Sequence, residues 1–271
     1  MSTNNGLAIL GAGNIGASIA KGLLRTNRFA PEHITLTRRR LHLLDPFKSQ
    51  GVIVQTNNLD AVKNSRIIII AVEPKRINDV LKEIDAELDA ERHILISVVS
   101  GVSIRQIREQ ISKEVAIVRA MPNTAIAIGE SMTCLASNKK KSEALDIAKS
   151  IFDAVGKTKI LEEEQFTAAT ALGACGVAFF LRAIRAAEQG GIQIGFHAED
   201  ALEIAAQTAR GAASLVLQME THPEFEIDKV TTPEGCTIVG LNQLEHEGFN
   251  SAMIKAIVCS EDKAKELYSV E

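Results

Sequence analysis

The chain has 271 residues, 46% of them hydrophobic, with 30 basic against 34 acidic side chains and a formal net charge of −4. That is material for a substantial core and, at about 150 residues per domain, for two domains. The near balance of charge excludes a strongly cationic nucleic-acid surface and an acidic disordered tail, and leaves a small molecule as the simplest partner.

Residues 7–10 read as a short apolar strand, followed at once by Gly11, Ala12, Gly13, Asn14, Ile15 and Gly16. Ala17, Ile19, Ala20, Leu23 and Leu24 then give the apolar stripe of a helix packed on a sheet. Residues 34–37 form the next strand and 41–50 a short helix. Strands follow at 52–54 and 66–72, the latter so rich in β-branched residues that it suits a sheet covered on both faces. After Pro74, the spacing of Ile77, Val80, Leu81, Ile84 and Leu88 predicts a helix. Strands at 93–98, 115–120, 132–136 and 157–161, with helices at 104–111 and 142–154, complete a βαβ series. The expected class is therefore α/β, with a Rossmann-type dinucleotide-binding domain over residues 1–162.

From Glu163 the pattern turns to long helices, 166–189, 198–220, a stretch ending near 248, and 250–267. This predicts an all-helical domain over residues 163–271. Ala201, Ile204, Ala205, Thr208, Ala209, Ala212 and Leu215 give one helix a face of small residues that permits close crossing and calls for a partner. The opening MSTNNGLAIL lacks the basic flank and apolar core of a secretory signal, and the apolar run Ile67 to Val72 is far shorter than the roughly 20 residues of a bilayer span. A cytoplasmic protein with no membrane partner is expected.

Gly11, Gly13 and Gly16 fit GxGxxG between a strand and a helix. The first glycine allows the tight turn, the second admits a pyrophosphate to the backbone, and the third permits helix–strand packing. The helix start, from Ala12 through Asn14 and Ile15, offers free N–H donors. About 20 residues on, an NAD-binding domain places an acid; here Arg38, Arg39 and Arg40 follow the second strand. Guanidinium forks suit a 2′-phosphate, so NADPH is the expected cofactor and NADH a weaker one. Arg38 and Arg39 are the expected contacts, Arg40 turning into the next helix. Ala71, Val72 and Pro74 end a strand on the ligand-binding edge of the sheet, and Ser97 to Gly101 end another.

Two further polar segments stand out. Pro122 stops a strand, and Asn123 beyond it offers either an amide contact or a structural turn. In Thr231-Thr232-Pro233-Glu234-Gly235-Cys236-Thr237, Thr237 lies near a helix start, where it either caps the helix or binds an anion. Cys134, Cys175, Cys236 and Cys259 form no CxxC pair and the six histidines no HExxH, so no metal is expected.

Taken together, these segments resemble pyrroline-5-carboxylate reductase over nearly the whole chain: the glycine fingerprint, Ala71 to Pro74, Arg119 to Thr124, Gly129 to Thr133, and Val230 to Leu241. The resemblance implies reduction of a cyclic imine carboxylate by NADPH or NADH, and a helical dimerisation domain, giving a homodimer or a decamer of five dimers. It implies that Pro122 and Asn123 serve the nicotinamide and substrate region, and that Gly235, Cys236 and Thr237 hold the substrate carboxylate. Asn123 and Thr237 are then the residues that orient the reaction, in a site combining one subunit's nucleotide domain with helices shared across a dimer. The chain departs from the family at Glu73, at Glu234, and in Leu172 to Phe179, where hydroxyls give way to apolar groups and a thiol. The alternatives are a reductase of another cyclic imine and an inactive NADP-binding dimer. A hydroxyacid dehydrogenase would need a lysine within 166–189, and there is none.

Overall fold

The computed structural model describes residues 6–138 and 142–267; residues 1–5, part of the segment read for a leader, lie outside them. β1 (Leu7–Leu10) runs through the glycine loop into α1 (Asn14–Arg25). β2 (Ile34–Thr37), α2 (Asp45–Lys48), β3 (Ile53–Gln55), α3 (Asn58–Lys63), β4 (Ile67–Ile70), α4 (Ile77–Ile84), β5 (Ile94–Ser97), α5 (Ile104–Arg108) and β6 (Ala116–Met121) follow. Local chemistry sets the helix starts. The Asn57 side chain accepts from the N–H of Leu59 and Asp60 to open α3, and Ser103 and Gln106 form a reciprocal capping box on α5.

These strands are parallel, in the order β3-β2-β1-β4-β5-β6. Four-residue β1 is buried on both faces. Leu7 and Ile9 join a core with Ile19, Ala20 and Leu23 of α1, while Ala8 and Leu10 join another with Ile77, Val80 and Leu81 of α4. Each leucine, isoleucine or valine removed from water is worth about 1.5–3 kcal/mol, which is why both helix layers stay on the sheet.

Beyond β6, a 3₁₀ turn (Thr124–Ile128) leads to β7 (Ser131–Ser137), then α6 (Glu143–Asp153), capped by Ser142, and β8 (Gly156–Ile160). β7 is antiparallel to β6 and parallel to β8. Residues 122–130 are too few for the crossover of a dozen or more residues that a parallel pair requires, whereas α6 supplies one between β7 and β8.

The expected helix over 166–189 is not continuous. α7 (Phe166–Ala169) passes into a π-helical turn, Thr170–Cys175, before α8 (Gly176–Gln193). α9 (Ala198–Met219), α10 (Pro223–Lys229), α11 (Cys236–His246) and α12 (Phe249–Lys265) complete the chain. By packing there are two compact units, residues 1–175 with 259–271, and residues 176–258. Segment 163–175 packs with the sheet because Phe166 fills a cluster with Met121, Cys134 and Ala136.

In the second unit α8 and α9 line an apolar groove of about 1000 Å³, with Phe180, Ile184, Ile204 and Ala209 among its walls. Phe180, Leu181, Ile204, Leu217 and Val239 of this unit are exposed. The helical stretch Glu163–Gln193 is also long and apolar enough to cross a bilayer by length and composition.

Candidate active site

Gly11 adopts φ +93°, and a Cβ there would lie 2.6 Å from Val72 Cγ1 and 2.8 Å from the Ala71 carbonyl oxygen, so only glycine fits. A Cβ on Gly16 would stand 2.7 Å from the Gly11 oxygen, which is the close helix–strand contact the fingerprint demands. Gly13 is different. It is the N-cap of α1, no side chain caps that helix, and a Cβ on Gly13 would meet nothing within 4 Å. The helix start therefore faces open space with its backbone donors, a fit for a diphosphate. The loop is held from β2, as the N–H groups of Gly11 and Ala12 donate to the Thr37 oxygen at 3.2 and 2.8 Å.

A cleft of about 650 Å³ opens beside this loop, lined by Gly11, Gly13 and four arginines, Arg38, Arg39, Arg40 and Arg76. The acid on its wall, Glu73, is exposed and pairs with Lys75 at 3.2 Å. A phosphorylated dinucleotide matches that size and charge. Arg38 Nη1 donates to the Ala12 carbonyl at 3.0 Å, so part of this side chain braces the buried loop residue Ala12. Arg39 and Arg40 are exposed, and Arg40, expected to turn away, lines the cleft as well. Sequence reasoning missed Arg76, Thr56 and Asn58 on the same walls; the Lys75-Arg76 pair after Pro74 was the available signal.

Strand register brings the remaining first-unit residues to the same edge. Leu10, Ile70, Ser97 and Arg119 lie level across four strands, so Gly11, Ala71, Val72 and Pro122-Asn123 all follow the carboxyl ends of parallel strands. Pro74 opens a 3₁₀ turn just beyond. Gly22 lets α1 pack closely on the turn Asn123 begins, because a Cβ there would stand 2.3 Å from the Ile126 carbonyl oxygen.

Asn123 is 8% exposed. Its Oδ1 accepts from the Ala125 N–H at 3.1 Å, its Nδ2 donates to the Gly173 carbonyl at 3.0 Å, and its own N–H donates to Ser131 Oγ at 3.1 Å. The amide thus joins the strand-end turn to the π-helical turn and retains one N–H hydrogen for other use. Arg119, 6% exposed, donates to Glu163 Oε1 at 3.1 Å; burial pulls its pKa down and Glu163 opposes the shift. Burial pushes the Cys134 thiol up, away from thiolate chemistry.

Gly235, Cys236 and Thr237 lie in the second unit. Gly235 is the N-cap of α11 without a side-chain cap bond, so Thr237, in the first turn, does not cap the helix. The Gly235 N–H closes a turn onto the Thr232 oxygen at 3.0 Å, and Glu234 within it takes φ +59°, a left-handed conformation that favours glycine. Uncapped donors and a hydroxyl at the head of an eleven-residue helix suit a carboxylate. Among the described residues no group of three or more His, Cys, Asp or Glu is placed to hold a metal.

Comparison with known proteins agrees with both halves. Residues 163–267 match the family model described as pyrroline-5-carboxylate reductase dimerisation, and residues 6–101 that described as NADP oxidoreductase, coenzyme F420-dependent. Two Dictyostelium discoideum proteins are similar: pyrroline-5-carboxylate reductase 1, 55% identical over 98% of this chain and 50% of that protein, and pyrroline-5-carboxylate reductase 2, 44% identical over 98% of this chain and 94% of that one. The chain thus spans half the length of the first. The crystal structure of Plasmodium falciparum pyrroline carboxylate reductase with NADP bound superposes with a TM-score of 0.90 at 26% identity, covering 99% of this chain and all of that one.

Proposed function

We propose, on the premise that this chain belongs to the pyrroline-5-carboxylate reductase family, that it reduces 1-pyrroline-5-carboxylate to L-proline with NADPH, NADH serving less well. The observation that carries the reading beyond family membership is the cleft, where an open glycine loop lies beside four arginines. We assign residues 1–162 to the cofactor and 163–271 to dimerisation and the substrate. When bound, NADPH supplies the hydride that the imine carbon accepts. The backbone at Gly11, Gly13 and the first turn of α1, through Asn14 and Ile15, holds the diphosphate, and Arg38 and Arg39 hold the 2′-phosphate, aided by Arg40 and Arg76. Ala71, Val72, Pro74 and Pro122 shape the nicotinamide side. Asn123 orients the reacting groups with its remaining N–H. Thr237, with the backbone of Gly235 and Cys236, holds the substrate carboxylate. A protonated ring imine is already electrophilic and keeps its proton on nitrogen in the product, so alignment suffices and no histidine base is required.

The apolar groove of α8 and α9 takes a second copy, giving a homodimer, with five dimers forming a decamer; the location is cytoplasmic. A second reading, reduction of a different cyclic imine, is favoured by the π-helical turn itself, whose Leu172, Gly173, Ala174 and Cys175 carry no hydroxyl.

The test is NADPH consumption by the purified chain with pyrroline-5-carboxylate, with proline identified as product. Thr237→Ala should raise KM for the imine about tenfold or more, the worth of one charge-assisted hydrogen bond, with little change in kcat. Turnover on other ring imines alone selects the second reading. NADPH binding without any turnover selects an inactive dimer.

A further inference from the structure

Arg119 lies two positions before the end of β6 and is nearly water-free, a costly place for a cation that touches neither the glycine loop nor the arginine cleft. Its surroundings explain the cost. Glu163 Oε1 accepts from Arg119 Nη1 at 3.1 Å and from the Ile104 N–H at 2.6 Å. The guanidinium carbon stands 4.5 Å from the centroid of Phe166, itself 1% exposed. One planar cation therefore grips the first residues of the segment that becomes the π-helical turn, by a charge pair at Glu163 and by its face at Phe166. At the far end Asn123 Nδ2 binds the Gly173 oxygen, and Ala174 packs against the Phe166 cluster. Thr170 Oγ1 donates to the Phe166 oxygen at 2.8 Å, so displacing Phe166 displaces the turn.

We propose that Arg119 and Glu163 are positioning residues, which seat the turn Thr170–Cys175 on the sheet edge and thereby fix the orientation of the Asn123 amide for the imine. This rests on the function proposed above. A π-helical turn is a rare single-turn insertion in an α-helix, frequent at functional sites, and here side chains outside the turn hold it at both ends. The anchors act through the turn on Asn123 and lie outside the cofactor cleft, so their loss separates the two ligands.

The full-length protein with Glu163→Gln, which keeps the acceptor and removes the charge, and with Arg119→Lys, which keeps the charge and removes the fork and the stack, carries the test. Amide hydrogen exchange should quicken at least tenfold across residues 170–176, kcat/KM for the imine should fall tenfold or more, and the NADPH dissociation constant should stay within twofold. Arg119→Lys serves if Glu163→Gln does not fold. Unchanged exchange overturns the proposal, as does NADPH affinity falling in step with kcat/KM, or a drop in Tm with kcat/KM preserved. If the unaltered protein reduces no pyrroline-5-carboxylate while exchange still quickens in both variants, the functional reading fails and the seat of the turn stands.

Discussion

Gly22→Ala sets two effects of opposite sign against each other. In an exposed helix interior the change is favourable by about 1 kcal/mol, since alanine is the better helix former. Here the new Cβ would lie 2.3 Å from the Ile126 oxygen, 3.1 Å from Val155 Cγ1 and 3.3 Å from the Ile126 carbonyl carbon, where ordinary contact begins at 3.4 Å. The nearest obstacle is backbone, so α1 and the turn Thr124–Ile128 must part by about 1 Å. Overpacking costs roughly 1–3 kcal/mol, and a backbone on each side puts this site at the upper end. The net loss is therefore about 2 kcal/mol, or roughly 3–4 °C in Tm for a chain of this size. Thermal unfolding of ligand-free protein at one fixed concentration measures it. Because the turn begins at Asn123, kcat/KM for the imine should fall as well. A rise in Tm with activity intact would refute the close approach and the coupling drawn from it.

Arg39→Asp should weaken NADPH about 10- to 100-fold while NADH binding holds or improves, by fluorescence titration of both, since one charge-assisted contact to phosphate is lost and a repulsion gained. His93 is 3% exposed and its Nδ1 accepts from the Asp89 N–H at 2.9 Å; burial first and Arg92 second hold its pKa below 6.5, against the pull of Asp89. The unfolded chain thus takes up the proton first, so this contribution to stability is full above pH 6.5 and declines below it until the folded pKa is reached. Urea midpoints at pH 7.5 and 5.5 should differ less in His93→Gln; an equal difference removes His93 as the cause. Ala209→Arg, in the groove of α8 and α9, should convert dimer to monomer by light scattering. Glu234→Gly should add about 1 kcal/mol in chemical unfolding by relieving its left-handed backbone.

The parallel sheet was legible because each strand is an apolar run and each crossover helix has its own stripe, as at Ile77, Val80, Leu81 and Ile84. The glycine fingerprint was legible because its steric demands are local. The direction of β7 depends on the length of the connection before it, which single-strand patterns do not report. α3 was passed over although Asn57 marks its start, being shorter than the window in which periodicity shows. The break after α7 has Gly173 within it and Gly176 just beyond, but isolated glycines are tolerated inside helices, and the tertiary anchors at Phe166 and Asn123 that fix the break are encoded by no spacing. Arg119 was seen as part of a motif, but its pairing with Glu163, forty-four positions on, depends on the fold.

The first compact unit is not one continuous stretch, since it takes up the chain again at Cys259 after 176–258 have formed the second. Ala264 is 3% exposed, and Glu261 accepts from Thr167 Oγ1 at 2.7 Å, its pKa lowered by hydrogen bonds from Lys265 and Thr167. During synthesis, then, the Rossmann half leaves the ribosome with one docking position vacant and waits while more than eighty further residues are added. At 5–20 residues per second that is about 4–20 s. Over that interval Thr167 lacks the carboxylate it binds in the finished fold, so a nascent chain stalled before Glu261 should be cut more readily by protease within segment 163–175.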